Sequence, residues 1–241
     1  MKNFFDFTGK KYLVTGASSG IGRSTAINLS RQGASVVLVA RDEARLNETL
    51  QQMDGRGHTI VFLDLARKED LTELFTTAMN DGVKLDGLVH CAGIATILPL
   101  ALLERANMRE CMDVNFYSFI ELVRQASKKK FRAEMMNIVA ISSIAALYPK
   151  KCQTIYAASK AALNAVVQTL ALELANKHIR INCICPGAVD TKVQSYVTEL
   201  NPQMLGTLKP EQIACSVMYL LSEASSSMTG RCLFADGGMV I

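Results

Sequence analysis

No stretch of this 241-residue chain reaches the roughly 18 to 20 apolar residues that a bilayer-spanning helix needs. Met1 to Thr8 carries one lysine and no apolar core, so it does not read as a secretory signal. A soluble, cytoplasmic protein with no membrane partner is the expectation. Paired C-x-x-C motifs are missing as well. The seven cysteines are an odd number, and Cys183 and Cys185 alternate along an expected strand, so neither disulfides nor zinc are favoured and the thiols read as reduced small hydrophobes. Linkers, low-complexity tails and repeats of solenoid length are absent too. A strong excess of one sign of charge is absent, with 26 Lys and Arg against 22 Asp and Glu. A net charge of +4 is too mild to imply nucleic acid, although it suits an anionic cofactor or substrate.

What is present is the composition of a folded chain, 49% hydrophobic and 20% charged, and one domain over residues 1–241 is expected. Short runs rich in β-branched residues alternate with longer amphipathic stretches, which predicts βα units on a mostly parallel sheet. Seven strands are expected, near Lys11–Thr15, Ser35–Ala40, Thr59–Leu63, Gly87–Cys91, Met136–Ser142, Arg180–Cys185 and Cys232–Ala235. Helices are expected near Gly20–Gln32, Asp42–Met53, Lys68–Asn80, Arg105–Lys130, Thr154–Asn176 and Pro210–Ser222. Leu71, Leu74 and Phe75 stand at the spacing of a helix laid on a sheet. In the fifth helix Leu163, Val166, Val167, Leu170 and Leu174 form an apolar set that fits burial in the domain or a helix-to-helix subunit contact. Lys128, Lys129 and Lys130, flanked by Arg124 and Arg132, read as a solvated helix end opposing the dipole or as a patch for an acidic partner.

Between the first strand and first helix lies Thr15-Gly16-Ala17-Ser18-Ser19-Gly20-Ile21-Gly22. Glycines there let the chain turn tightly and bring backbone amides up to a pyrophosphate at a helix N-terminus. Three residues separate the first two glycines, where the familiar dinucleotide fingerprint has one. Arg41 comes directly after the second strand, where an arginine can pair with a 2′-phosphate, and so favours NADP(H). Asp42 can cap the next helix or meet a ribose hydroxyl. Asp64, ending F-L-D, can accept from an adenine amino group or cap the helix after it.

Tyr156 and Lys160 stand four apart in Y-A-A-S-K, on one helix face, and Asn164 extends that face by a further turn. An ammonium beside a phenol favours its ionised form, so Lys160 is expected to bring Tyr156 down from its usual value of about 10 and make it a usable acid or base. Taken alone, the pair also fits a chance match on a solvated helix. Ser143, thirteen residues before Tyr156, adds a hydroxyl able to bond a carbonyl oxygen.

The glycine turn, Asn115 in D-V-N, Ser143, Tyr156 with Lys160, and Pro186-Gly187 occur in one order across the chain, which resembles the short-chain dehydrogenase/reductase family from Gly9 to the terminal D-G-G-M-V-I. The resemblance implies a single-domain Rossmann-type doubly wound parallel sheet of about seven strands with helices on both faces. It implies Tyr156 as proton donor to the substrate oxygen, Ser143 (rather than Ser142) polarising the carbonyl, Lys160 holding the nicotinamide ribose, and Asn115 anchoring a water. It also implies a cofactor set of Gly16, Ser18, Ser19, Gly20, Ile21, Gly22, Arg41, Asp64, Leu65, Ala92, Gly93, Tyr156, Lys160, Pro186, Gly187, Val189 and Thr191. One departure stands out. The family's N-N-A-G is here His90-Cys91-Ala92-Gly93, which keeps the small residues but puts the second asparagine's hydrogen bonds in doubt. His90, a lone histidine ending a strand, is left out of the catalytic set.

The ending T-G-R-C-L-F-A-D-G-G-M looks most like the 3-oxoacyl-carrier-protein reductases. That branch implies NADPH, a β-keto thioester, a homotetramer or homodimer, and an acyl carrier protein docked on basic residues near the entrance, for which Arg132 and Lys177 are plausible and Glu134 has the wrong sign. Relatives with the same motifs act on sugars, steroids or small alcohols. Tyr196, Leu200, Met204, Leu205 and Leu208, in the segment Lys192 to Lys209, fit an apolar lid or an amphipathic surface helix. A dinucleotide-binding subunit or sensor without turnover would share the glycine turn, but the intact Asn115, Ser143, Tyr156 and Lys160 speak against it.

Overall fold

The computed structural model describes residues 4–66, 70–191 and 203–239. The strands are β1 (Lys11–Thr15), β2 (Ser35–Ala40), β3 (Thr59–Phe62), β4 (Leu85–His90), β5 (Arg132–Ile141), β6 (Ile179–Pro186) and β7 (Cys232–Ala235). They form one sheet in the order β3-β2-β1-β4-β5-β6-β7, and every pairing is parallel. The helices are α1 (Gly20–Arg31), α2 (Glu43–Leu50), α3 (Asp70–Ala78), α4 (Arg105–Met112), α5 (Ser118–Ala126), α6 (Thr154–Leu174) and α7 (Pro210–Leu221).

Strand alternation sorts the core into two layers. Leu13, Val37, Leu88, Ile138 and Ile181 face α3, α5 and α6, where they meet Leu74, Phe75, Phe119, Leu122, Leu163 and Val167. Their neighbours Tyr12, Val14, Val36, Leu38, Val89 and Val139 point the other way, onto Leu29 of α1, Leu46 of α2 and Val217 of α7. A sheet buried on both faces needs such near-continuous apolar strands, and β1 and β2 supply them.

After β3 the chain crosses back to lay β4 on the other side of β1. The order therefore reverses between β1 and β4, the place where doubly wound sheets open a crevice at their C-terminal ends. Gly16 follows β1 there with φ +66°, and a Cβ on it would stand 2.8 Å from the Ala92 nitrogen, so the two turns can close together only around glycine.

Two expectations are corrected. The single helix expected over Arg105–Lys130 is broken by a π turn at Asp113–Tyr117 and ends at Ala126, leaving Lys128 to Lys130 beyond it. Periodicity does not register one extra residue in a turn, because the apolar stripe resumes after a small rotation. Lys128 donates to Gln125 at 2.6 Å and Lys130 lies 4.5 Å from the Phe131 ring centroid, so two of the three lysines are engaged locally. The second correction concerns Arg132 and Lys177. Arg132 starts β5 and Lys177 stands two residues before β6, at the N-terminal edge of the sheet, whereas Ser143 lies just past the C-terminal end of β5. Ten strand residues at ~3.3 Å each separate Arg132 from the site by roughly 30 Å, and its guanidinium donates to the Ala133 and Glu134 carbonyls. Neither residue stands at the entrance.

Candidate active site

The N-terminus of α1 is an anion site in waiting. Ser19, at its N-cap, makes no capping bond with its side chain, and the first turn holds no acidic residue, so the helix dipole and its leading amides remain uncompensated. A Cβ on Gly22 would fall on the Gly16 carbonyl, and one on Gly20 would lie 3.1 Å from Thr191 Cγ2. Ser18 is partly buried and Ile21 lines the pocket beside the turn. The donor-rich, negative-charge-free cradle fits the pyrophosphate of a dinucleotide.

Toward the adenosine end, Asp42 accepts from the Arg45 amide at 3.0 Å and lies 3.5 Å from its guanidinium, so its carboxylate caps α2. Arg41 is exposed and has no hydrogen-bond or ion-pair partner among the described residues. Asp64 accepts from the Ala66 amide at 3.1 Å, a local turn bond, and Leu65 beside it is buried.

The reacting end is a pocket lined by Gly93, Ser143, Tyr156, Lys160, Gly187 and Thr191 among others, with Pro186 and Val189 on the same wall. Ser143 comes after β5, its Oγ accepting from the Ala145 amide at 3.1 Å, and it lines the pocket together with the Tyr156 phenol. Ser142 points the other way. It is buried, and its hydroxyl donates to the Lys160 carbonyl at 3.3 Å. Lys160 is buried, with Nζ 2.8 Å from the Ile141 carbonyl and 5.9 Å from the Tyr156 ring centroid. Desolvation brings its ammonium down to about 8. The expectation that Lys160 lowers the phenol is not met: burial raises Tyr156 above its usual value, and only the neighbouring Ser143 hydroxyl pulls the other way. At 5.9 Å the ammonium is too remote, and too much occupied with Ile141, to overcome desolvation.

Asn115 sits in the π turn and is fully buried. Its Oδ1 accepts from Ile94 N at 2.8 Å, while Nδ2 donates to the Ile94 carbonyl at 3.0 Å and to Ser159 Oγ at 2.9 Å. A Cβ on Gly93 would meet both Asn115 Oδ1 at 3.3 Å and Lys160 Nζ at 3.4 Å, so Gly93 keeps the space between them open. Ser159, which ties Asn115 to α6, is a site residue that the sequence does not single out. Its only signal is a position one residue before Lys160 on a helix.

At the His90-Cys91 departure, Thr15 Oγ1 accepts from the Ala92 amide and contacts His90 Nδ1, both at 3.1 Å. His90 is fully buried against Phe119, and desolvation, with repulsion from Lys160 as the next cause, drops it to about 3, so it stays neutral and cannot act as an acid at neutral pH. Burial pushes the Cys91 thiol up to about 12.

Lys150 is a second residue that the sequence does not single out. It lines the same pocket, and its Nζ is shielded from solvent without a hydrogen-bond partner among the described residues. Its turn is firmly built: Gln153 Oε1 accepts from Lys150 N at 2.8 Å, Cys152 adopts φ +67°, and the Cys152 carbonyl accepts from Leu98 N at 2.9 Å. Of the expected lid, Tyr196 and Leu200 lie outside the described residues, Met204 and Leu205 are exposed, and Leu208 is buried where it bridges Val189. No described helix is long and apolar enough to cross a membrane.

Comparison with known proteins agrees with this geometry. A family model described as Enoyl-(Acyl carrier protein) reductase matches residues 16–240. A 3-oxoacyl-[acyl-carrier-protein] reductase of Thermotoga maritima is 29% identical, covering 97% of this chain and 98% of its own. L-xylulose reductase of Caenorhabditis elegans is 34% identical over 97% of both chains. The structure of a short-chain type dehydrogenase/reductase from Mycobacterium ulcerans superposes with a TM-score of 0.89 at 29% identity, covering 97% of this chain and 90% of the other. A doubly wound sheet with a glycine cradle at its switch point and Ser143, Tyr156 and Lys160 on one pocket wall thus has its relatives along the whole chain, which belongs to the short-chain dehydrogenase/reductase family of NAD(P)-dependent oxidoreductases.

Proposed function

We propose that this chain reduces a ketone to a secondary alcohol with NADPH, Tyr156 delivering the proton. The observation that carries the reading is that Ser143, Tyr156 and buried Lys160 line one pocket together, with Lys160 one helical turn from Tyr156. A bound nicotinamide supplies the hydride, and the protein supplies position and a proton. A phenol held above its usual value is protonated at neutral pH, as a donor must be. Ser143 offers a hydroxyl to the developing alkoxide. Lys160 donates to Ile141 with one N–H and has two more for a ribose hydroxyl, and a charged ammonium drawn toward that ribose would favour the phenolate left after proton transfer. Asn115 is the positioning residue that ties the Ile94 loop to α6 and serves the proton path from Lys160. The unengaged Arg41, beside an Asp42 already capping α2, supports a 2′-phosphate and so NADP(H) over NAD(H).

For the substrate, the 3-oxoacyl thioester of an acyl carrier protein rests on the T. maritima relative. A second reading, a small polyhydroxylated or anionic ketone, is favoured by the unpartnered Lys150 ammonium in the pocket and by the xylulose reductase relative. A homo-oligomer is proposed as well, as the family resemblance implies; Leu172 on α6 is 83% exposed. A turnover panel of acetoacetyl thioesters, pentuloses, oxo acids and steroid ketones, measured by NADPH absorbance, tests these readings. Activity confined to small polar ketones removes the thioester assignment. Unchanged turnover in Tyr156→Phe removes the catalytic one.

A further inference from the structure

Cys183 and Cys185, two residues apart on β6, share the sheet face turned toward α6. Cys232 on β7 is the register partner of Cys183. Their three Sγ atoms lie within 4.8 Å of one another, and those of Cys183 and Cys232 are 3.0 Å apart. From α6, Asn164 places Oδ1 3.5 Å from Cys183 Sγ and 3.8 Å from Cys185 Sγ. In a tetrahedral site with metal–sulfur bonds of ~2.3 Å, neighbouring donors stand roughly 3.5 to 3.8 Å apart. The observed separations bracket that spacing.

We propose that Cys183, Cys185, Cys232 and Asn164 Oδ1 bind a single thiophilic cation of the zinc class. Three sulfurs with one oxygen is a donor set that selects soft or borderline metals over magnesium or calcium. Each ligating thiol releases its proton to solvent, so three thiolates around a divalent ion leave one negative charge. Lys160, one turn before Asn164 on the same helix, lies close enough to Cys183 and Cys185 to offset it. Entry is from the sheet edge, because β7 is the last strand and Cys232 is only partly buried. The bound ion ties α6, β6 and β7 together behind the pocket wall. Sequence spacing hides the site, since α7 intervenes between Cys185 and Cys232.

The test uses the full-length reduced protein, stripped of metal and titrated separately with cadmium chloride and zinc chloride. A thiolate-to-cadmium charge-transfer absorption saturating at one ion per chain is expected, and zinc X-ray absorption should count three sulfurs at ~2.3 Å. Cys232→Ser should weaken cadmium binding at least tenfold, whereas Cys215→Ser, which alters an exposed cysteine elsewhere, should leave it unchanged. Absence of the charge-transfer band in the parent protein at one equivalent overturns the proposal. So does equal binding by folded Cys232→Ser, or loss on Cys215→Ser alone. The sulfur count on the parent protein decides the matter even where Cys232→Ser fails to fold.

Discussion

Lys160 Nζ donates to the Ile141 carbonyl at 2.8 Å and stands 5.9 Å from the Tyr156 ring centroid, so the two residues share a helix face without forming a close pair. Their separation divides the work. Tyr156 stays protonated in the free protein, and Lys160 is a buried cation anchored to β5.

The phenol should therefore titrate late. In the free protein the ultraviolet difference between the parent and Tyr156→Phe should show phenolate absorbance from this residue only above pH ~10, its ordinary value. A phenolate step from Tyr156 below pH 9 would contradict the burial argument.

Lys160 carries a pH-dependent penalty. Its folded value of about 8 lies below the ordinary lysine value of 10.5, so the unfolded chain holds more protons between those limits and stability rises with pH across them. The cost of the charged form, on the order of 3 kcal/mol below pH 8, fades above it. Lys160→Met should thus exceed the parent in denaturant midpoint most clearly at pH 7, and the difference should shrink by pH 10.

His90 sets the acid limb. With a folded value of about 3 against 6.5 unfolded, the neutral ring contributes stability above pH 6.5 that is lost as pH falls toward 3. The slope is about 1.4 kcal/mol per pH unit. His90→Asn should flatten the urea-melt stability profile between pH 6 and 4, at some fixed loss from removing the ring packed on Phe119.

Gly22→Ala and Gly9→Ala should separate cleanly. A Cβ at Gly22 collides with the Gly16 carbonyl, so cofactor binding measured by fluorescence titration should fall at least a hundredfold or the chain should fail to fold. Gly9 has open space around it, and only its φ of +75° opposes alanine, at about 1 kcal/mol.

Arg41→Ala should weaken NADPH binding by about tenfold, the worth of a solvent-exposed charge-assisted contact, and change NADH binding little. Equal losses would remove the 2′-phosphate role.

The alternation of apolar strands with amphipathic stretches determined the βα architecture, because the side-chain periods of strand and helix are written in the local sequence. The glycine turn was legible for the same reason: the requirement for missing side chains is local. What only the tertiary structure decided depends on distance in space. It turned Asp42 into a cap, carried Arg132 and Lys177 to the far edge of the sheet, and folded a π turn around Asn115. It raised Tyr156 by burial where helix spacing alone predicted a lowered value, since desolvation depends on everything packed around a group and spacing on one neighbour. It also gathered Cys232 to Cys183 and Cys185 across a strand pair, a meeting set by sheet register that no reading along the chain contains.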